Sequence, residues 1–160
     1  MTSASYTSGA TYAAGAALSQ LIPNGVVGSQ SSFTLNASQL ANARIIVEVA
    51  KQRGLPERAA VIAIATAIQE STLRNLTVAV DHDSLGLFQQ RPSMGWGTPA
   101  QLTDPVYAAG AFYDALLTQA PNYLNEPLYV AAQAVQRSGF PTAYAKWETL
   151  AAQIVLQVTA

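Results

Sequence analysis

The spacing of apolar and polar residues predicts a chain built mainly of helices. Residues 59–68 are apolar at every position except Thr66, and a helix that is apolar on all sides belongs in a protein core. Before it, Asn36 and Gln39 have the spacing of a helix-capping box, and Gly54 marks the end of that first helix. One face of the first helix carries Leu40, Ala43, Val47 and Ala50.

Prolines mark the starts of the later helices, since proline is favoured at the first helical position. Pro56 opens the buried helix, which we expect to run to about residue 72. Pro105 follows the capping residue Asp104 and begins a helix through residue 117, and Pro127 begins another that ends near residue 137. Pro141 begins the last helix, whose buried face is formed by Tyr144, Trp147, Leu150, Ile154 and Val158.

A long polar stretch, residues 73–103, follows the buried helix and contains Pro92, Pro99 and several glycines. These residues predict a loop with short helical turns, in which residues 76–80 form a short strand or hairpin arm. Ordered loops of this length in compact domains are usually functional. The sequence therefore predicts a mainly α domain with one long functional loop.

The first part of the chain has a different character, because no charged residue precedes Arg44. We interpret residues 1–35 as a linker or N-terminal extension and residues 36–160 as one domain with room for a proper core. In the alternative interpretation the extension docks on the domain. It would then cover apolar surface with Leu21, Ile22, Val26 and Val27.

Composition argues against several classes of function. The net charge is −1 and no basic cluster is present, so we expect no binding to nucleic acid. The chain has no cysteine and a single histidine, His82, so we expect no metal and no other cofactor. No apolar run approaches the ~20 residues that span a bilayer. The N-terminus also lacks the basic and compact apolar segments of a signal peptide.

Glu70 is the first candidate for catalysis, because it follows the buried helix directly. Desolvation raises the pKa of a carboxyl group that leaves a dry helix, and the negative end of the helix dipole acts in the same direction. A general acid near neutral pH needs such an environment. The other interpretation is a structural glutamate that extends into water at a helix end, and structural acids are the more common kind.

Several motifs follow one another in a recognisable order. Glu70-Ser71 is followed by a loop, by Gly-Leu-Phe-Gln at residues 86–89, by Asp104-Pro105, and by a helix that ends in two leucines. This order resembles the soluble lytic transglycosylases of the lysozyme superfamily. The resemblance implies a lysozyme-like helical domain with a long active-site loop.

The chain is more similar still to lysozyme-like domains of actinobacterial cell-wall proteins. These domains carry the string Asp-Ser-Leu-Gly-Leu-Phe-Gln-Gln-Arg-Pro-Ser, which occurs here at residues 83–93, and residues 131–141 are also similar to that group. Phe88 stands where the transglycosylases usually have methionine, an apolar exchange that keeps the packing role. The resemblance covers about residues 36–158.

The resemblance implies peptidoglycan as the substrate, cut between N-acetylmuramic acid and N-acetylglucosamine. Glu70 matches the catalytic acid, Ser71 matches the serine that orients that acid or the substrate, and Gln89 matches the glutamine of the glycan cleft. Where the transglycosylases have Ala-Tyr-Asn-Ala-Gly, residues 135–139 are Val-Gln-Arg-Ser-Gly. Gln136 replaces the asparagine amide there, and the segment has no tyrosine.

Other residues of the loop are candidates for the same site. Asp81 and Asp83 are candidates for a second catalytic carboxylate, since glycosidases commonly use two, although Asp83 fits equally a cap for the following turn. Trp96 either stacks on a sugar ring or fills the edge of the core. Gln90 would line the cleft beside Gln89.

The charged neighbours of these carboxylates also have two interpretations. Arg74 and Arg91 either bind carboxylates of the substrate through bidentate contacts or pair with Asp81 or Asp83. His82 either carries protons or has no role.

The resulting hypothesis is an enzyme, a peptidoglycan lytic transglycosylase that uses Glu70 alone as acid and base. A two-carboxylate muramidase is the alternative hydrolase. A non-catalytic peptidoglycan-binding module of a larger cell-wall or phage-tail protein is a further alternative. The substrate implies an extracellular or cell-wall location, or a virion-associated one.

Overall fold

The computed structural model describes residues 4–5, 11–12 and 18–160. Their secondary structure is mainly helical, which confirms the predicted class. The α-helices are α1 (Leu18–Leu21), α2 (Ala37–Gln52), α3 (Glu57–Ser71), α4 (Pro99–Leu102), α5 (Pro105–Gln119), α6 (Leu128–Gln136) and α7 (Glu148–Thr159). Short 3-10 helices occur at Pro92–Met94, Tyr123–Asn125 and Ala145–Trp147. Two short strands, β1 (Ala4–Ser5) and β2 (Thr11–Tyr12), pair antiparallel.

The apolar helix α3 is the centre of the fold, as its sequence predicts. Residues 58–68 are all buried, and α2, α5, α6 and α7 pack around them. The one charged residue in this stretch, Arg58, forms an ion pair with Glu148 of α7, with 2.5 Å between Nη1 and Oε2. Both side chains are almost fully buried. The packing of α3 on its neighbours fixes the point at which its last turn, with Glu70, reaches the surface.

The first long helix, α2, begins as the capping-box pattern predicts. Asn36 Oδ1 accepts a hydrogen bond from the Gln39 backbone N–H at 2.8 Å, and Gln39 Oε1 accepts one from the Asn36 N–H at 2.9 Å. The buried face includes Ala43 and Val47 as expected, together with Ile46, whereas Leu40 is only partly buried.

Two predicted elements differ from the structure. Residues 76–80 form no strand, and Val78 and Val80 are 73% and 83% exposed. Within the described residues no strand pairs with this segment. The last helix begins at Glu148 rather than at Pro141. Between these two residues the backbone forms tight turns, with Ala143 N bonded to Phe140 O and Ala145 N bonded to Thr142 O.

The N-terminal segment is described from residue 18 onward, and most of residues 1–17 lie outside the described part. Leu21 is 2% exposed and belongs to the main core, and its carbonyl accepts a hydrogen bond from Arg58 Nη1 at 3.1 Å. Ile22 packs against the same core, whereas Val26 and Val27 are 43% and 46% exposed. These contacts support the docked interpretation for Leu21 and Ile22, and the division of the chain at residue 35 stays a prediction.

No helix in the described part of the chain is both long enough and apolar enough to span a membrane.

Candidate active site

Glu70 lies in the last turn of α3, and its carboxylate accepts two hydrogen bonds. The Tyr144 hydroxyl donates to Glu70 Oε2 at 2.7 Å, and Gln136 Nε2 donates to the same oxygen at 3.3 Å. Burial raises the pKa of Glu70, the two hydrogen bonds offset part of this rise, and the negative charge of Asp81 adds to it. The net effect is a raised pKa, which favours the protonated form of Glu70 more than that of an ordinary exposed glutamate.

The two donors come from different elements. Gln136 is the last residue of α6, and its Nε2 also donates to the Phe88 carbonyl at 2.7 Å, which fixes the orientation of the amide. Tyr144 lies in the turns before the Ala145–Trp147 helix and is fully buried. Burial, followed by the charge of Glu70, raises the pKa of the Tyr144 hydroxyl. Tyr144 therefore keeps its proton and acts as a donor.

The loop beside Glu70 is fixed by a small turn between Leu85 and Gln90. The N–H of each residue bonds to the carbonyl of the other, at 3.0 and 3.2 Å. Gly86 within the turn has φ +80°, and a Cβ atom there would lie 2.0 Å from the Leu102 carbonyl oxygen. Only glycine allows this approach. Phe88 in the same turn stacks on Phe112 of α5, with 4.9 Å between ring centroids.

Ser71, predicted to orient the acid or the substrate, and Gln90, predicted to line the cleft, are both buried. Ser71 is 3% exposed, and its Oγ lies 2.7 Å from the Leu87 carbonyl, so it ties the end of α3 to the loop. Gln90 is also 3% exposed, and its Nε2 lies 3.4 Å from Gln136 Oε1. Gln90 nevertheless forms part of the lining of the cavity beside Gln136, whereas Ser71 does not.

A cavity of about 420 Å³ opens beside Gln136. Gln89, Met94 and Trp96 form part of its lining, and so does Arg137 at the end of α6. Glu70 is not in the lining, but Gln136 contacts both the cavity and the Glu70 carboxylate. Trp96 is half-buried against the core and also faces the cavity, so its two predicted roles are compatible.

Asp83 is engaged by the loop itself. Its Oδ1 lies 2.6 Å from Arg91 Nε, and its Oδ2 accepts a hydrogen bond from the Ser93 N–H at 2.8 Å. The Arg91 guanidinium and then Ser93 hold the pKa of Asp83 far below its usual range. These contacts agree with the paired interpretation of Arg91. The Asp83 side chain binds the Ser93 N–H in the 3-10 helix Pro92–Met94, and not the turn directly after Asp83 for which a cap was predicted.

The other charged residues of the loop have fewer contacts. Asp81 is exposed, and its Oδ1 lies 2.9 Å from His82 Nδ1. Asp81 is nevertheless close enough to Glu70 to raise its pKa. Arg74 donates through Nε to the Ser71 carbonyl at 3.2 Å, so this guanidinium helps to end α3.

The apolar spacing predicted Tyr144 on the buried face of the last helix, and its contact with Glu70 was not predicted. Two signals could have identified it. A buried tyrosine needs a partner for its hydroxyl, and the segment at residues 135–139 lacks the tyrosine of the family that it resembles. In the structure the Tyr144 hydroxyl and the Gln136 amide both donate to Glu70 Oε2.

Neither the models of known protein families nor the curated proteins give a match to this chain. Across residues 4–5, 11–12 and 18–160, no three side chains of the His, Cys, Asp and Glu types come together as a candidate metal site. The chemistry of the site is therefore argued from Glu70, its two donors and the adjoining cavity.

Proposed function

We propose that this chain is a lysozyme-like lytic transglycosylase that cleaves the glycan strands of peptidoglycan. One observation carries the proposal above all others: a half-buried carboxyl group, that of Glu70, has a raised pKa and is oriented by the hydroxyl of Tyr144 and the amide of Gln136. A carboxyl group with these properties is suited to general acid catalysis.

The proposed reaction uses the same carboxyl group twice. Protonated Glu70 first gives its proton to the glycosidic oxygen, and the bond from this oxygen to the anomeric carbon of the muramyl residue breaks. The muramyl C6 hydroxyl then attacks the anomeric carbon, and the Glu70 carboxylate takes the hydroxyl proton. The products are a free N-acetylglucosamine hydroxyl and a 1,6-anhydromuramyl end, and Glu70 is protonated again. No water is consumed, because the nucleophile belongs to the substrate.

The surroundings of Asp83 support a mechanism with a single carboxylate. A hydrolase needs a second carboxylate at about 5–5.5 Å from the acid if it retains configuration, or at about 6.5–9.5 Å if it inverts. Both oxygens of Asp83 already accept hydrogen bonds from Arg91 and Ser93, so Asp83 is not free to act as a nucleophile or a base.

Gln89, Trp96 and Gln136 provide the binding surface in this proposal. All three line the cavity beside Glu70. An aromatic ring suits the apolar face of a sugar, and the two amides can bind hydroxyl or acetamido groups. Since the proposed substrate lies outside the cytoplasmic membrane, the protein would act extracellularly, in the cell wall, or as part of a virion.

A two-carboxylate muramidase is the second candidate, and Asp81 is the residue that favours it. Asp81 is exposed, and its charge acts on Glu70. In this mechanism Asp81 would activate water or form the covalent intermediate while Glu70 donates the proton.

Mass spectrometry of digested actinobacterial sacculi tests both candidates in one measurement. A transglycosylase releases anhydromuropeptides, which are about 18 mass units lighter than the hydrolytic fragments because one water is missing at each cut. Reducing-end muropeptides would instead support the muramidase. Intact sacculi after long incubation, with binding retained, would contradict both and support a non-catalytic module. The Glu70→Gln protein is the matched control in each case.

A further inference from the structure

We propose that the N-terminal segment around Gln30 orients the Glu70 carboxylate by bracing the turn that carries Tyr144. Gln30 is then a positioning residue, since it contacts the turn and not the carboxylate. The inference deepens the proposed function, but the orientation of Glu70 can be measured whether or not the protein cuts peptidoglycan.

The Gln30 side chain bridges the start of the 3-10 helix Ala145–Trp147 and the first turn of α7. Its Nε2 donates to the Ala145 carbonyl at 3.0 Å, and its Oε1 accepts a hydrogen bond from the Thr149 N–H at 2.9 Å. The Thr149 N–H lies in the first turn of α7, where no helical carbonyl is available to it. One side chain therefore satisfies backbone groups on both sides of the turn and holds them at a fixed separation.

Ser31 and Phe33, which follow Gln30 in the chain, contact the same 3-10 helix. The Ser31 N–H donates to the Lys146 carbonyl at 2.8 Å. The ring of Phe33 meets Trp147 edge to face, with 5.9 Å between centroids. Residues 30–33 thus contact the backbone or the side chain of consecutive positions, 145 to 147, on the turn.

Two side chains of this turn donate hydrogen bonds to the last turn of α3. Tyr144 donates to Glu70 Oε2 at 2.7 Å, and Trp147 Nε1 donates to Gln69 Oε1 at 2.9 Å. The two acceptors, Gln69 and Glu70, are adjacent residues of α3. A displacement of the turn would therefore change the geometry of the Tyr144 hydroxyl at Glu70, and this hydrogen bond is sensitive to distance and angle.

The groups that act on the charge of Glu70 come from each element around it. Tyr144 from the turn and Gln136 from α6 donate hydrogen bonds, and Asp81 from the loop contributes a negative charge. Gln30 carries no charge. Its replacement can therefore shift the Glu70 titration through the geometry of these groups or through the burial of Glu70, and only a shift through Tyr144 disappears when the Tyr144 hydroxyl is removed.

A double-mutant cycle followed by NMR titration of the Glu70 side-chain carboxyl carbon tests the proposal. Gln30→Met keeps the length of the side chain and removes its hydrogen bonds to Ala145 and Thr149, together with a local one to the Gly28 carbonyl. We expect it to move the Glu70 midpoint upward, in the direction of Tyr144→Phe, because the hydroxyl donates less well to the carboxylate. In the Tyr144→Phe background we expect no further movement. Gln153→Met, at an exposed position on α7, is the matched control and should leave the midpoint unchanged.

The cycle separates positioning from a general loss of structure. A midpoint that Gln30→Met leaves unchanged would overturn the proposal, and so would an equal movement in both backgrounds. If Gln30→Met does not fold, Gln30→Glu replaces it. This carboxylate can still accept from the Thr149 N–H at the start of α7 but cannot donate to Ala145. Its own charge acts on Glu70 in both backgrounds, so the cycle cancels that contribution.

The muropeptide assay and the titration can fail independently. If the Gln30 cycle behaves as expected and no peptidoglycan is cut, the positioning stands and the proposed function is wrong. If peptidoglycan is cut and the cycle shows no coupling, the function stands and the positioning is wrong.

Discussion

The Tyr144 hydroxyl lies 2.7 Å from Glu70 Oε2, although the two residues are 74 positions apart in the chain. This hydrogen bond favours the charged carboxylate, whereas burial favours the neutral acid, and burial is the larger effect. The pKa of Glu70 is therefore set by a balance that single substitutions can move in a known direction.

Tyr144→Phe removes the hydroxyl and keeps the ring, so we expect the pKa of Glu70 to rise further. A general acid is active while protonated, and activity falls as the pH rises through its pKa. The alkaline limb of the pH–activity profile should therefore move to higher pH. Tyr107→Phe, at a partly exposed position on α5, is the control and should leave the limb in place. A limb that moves to lower pH would contradict the assigned balance.

Glu70→Gln should remove glycan cleavage, because the amide neither donates nor recovers a proton. General acid–base catalysis contributes about 10²–10⁴-fold, and a loss of less than about tenfold would exclude Glu70 as the acid. The muropeptide assay measures this directly.

The same Glu70→Gln variant should be more stable than the unmodified protein near neutral pH. The raised pKa means that ionised Glu70 destabilises the folded state, and glutamine carries no charge. The sign of the stability difference and the pH range over which it changes both follow from the direction of the pKa shift. The advantage should be full above the folded pKa and should disappear as the pH falls towards the ordinary value of 4.5. Denaturant unfolding of the two proteins near neutral pH and near pH 4.5 tests this. A stability advantage of Glu70→Gln that grows in acid would contradict it.

Asp81→Asn and Asp83→Asn distinguish the two catalytic mechanisms. A transglycosylase with one glutamate should retain much of its activity in both variants. Asp81→Asn should also lower the pKa of Glu70, because a neighbouring negative charge is removed. Loss of activity in Asp81→Asn with an intact fold, together with reducing-end products, would identify the muramidase mechanism.

Leu21→Ala tests the docking of the N-terminal segment. Leu21 is 2% exposed in the main core, and truncation of a buried leucine costs about 2–5 kcal/mol of unfolding free energy. Val27→Ala is the matched control, since Val27 is 46% exposed and a surface change of this kind stays within about 0.5 kcal/mol. Equal stability of the two variants would show that the segment contributes little to the core.

Local sequence signals predicted the helices well where a single segment determines the structure. The capping box of Asn36 and Gln39 requires residues three positions apart, and the uniform apolar character of residues 59–68 requires no partner for its interpretation. The start of α7 was wrong because it depends on distant contacts. Residues 141–147 form turns whose backbone is bound by residues of the N-terminal segment, and nothing within residues 141–147 indicates this.

Only part of the candidate site was predicted, again because contacts between distant segments leave no local signal in the sequence. Glu70 was predicted as a candidate from its position after α3, and pairing with Asp81 or Asp83 was one of the interpretations left open for Arg91, which contacts Asp83. The burial of Ser71 was not predicted, because a motif gives the order of residues and not their exposure. Tyr144 could be recognised only once the turn before α7 was seen beside the end of α3.

The two donors to Glu70 lie on different elements. Gln136 is the last residue of α6, and Tyr144 lies on a turn that the N-terminal segment contacts. A substitution can therefore alter one donor and leave the other in place. The acidity of Glu70 can in this sense be adjusted at two positions, by the amide at position 136 and by the hydroxyl at position 144. An engineer who wants the protein to work at another pH has two separate controls, and neither requires a change to Glu70 itself.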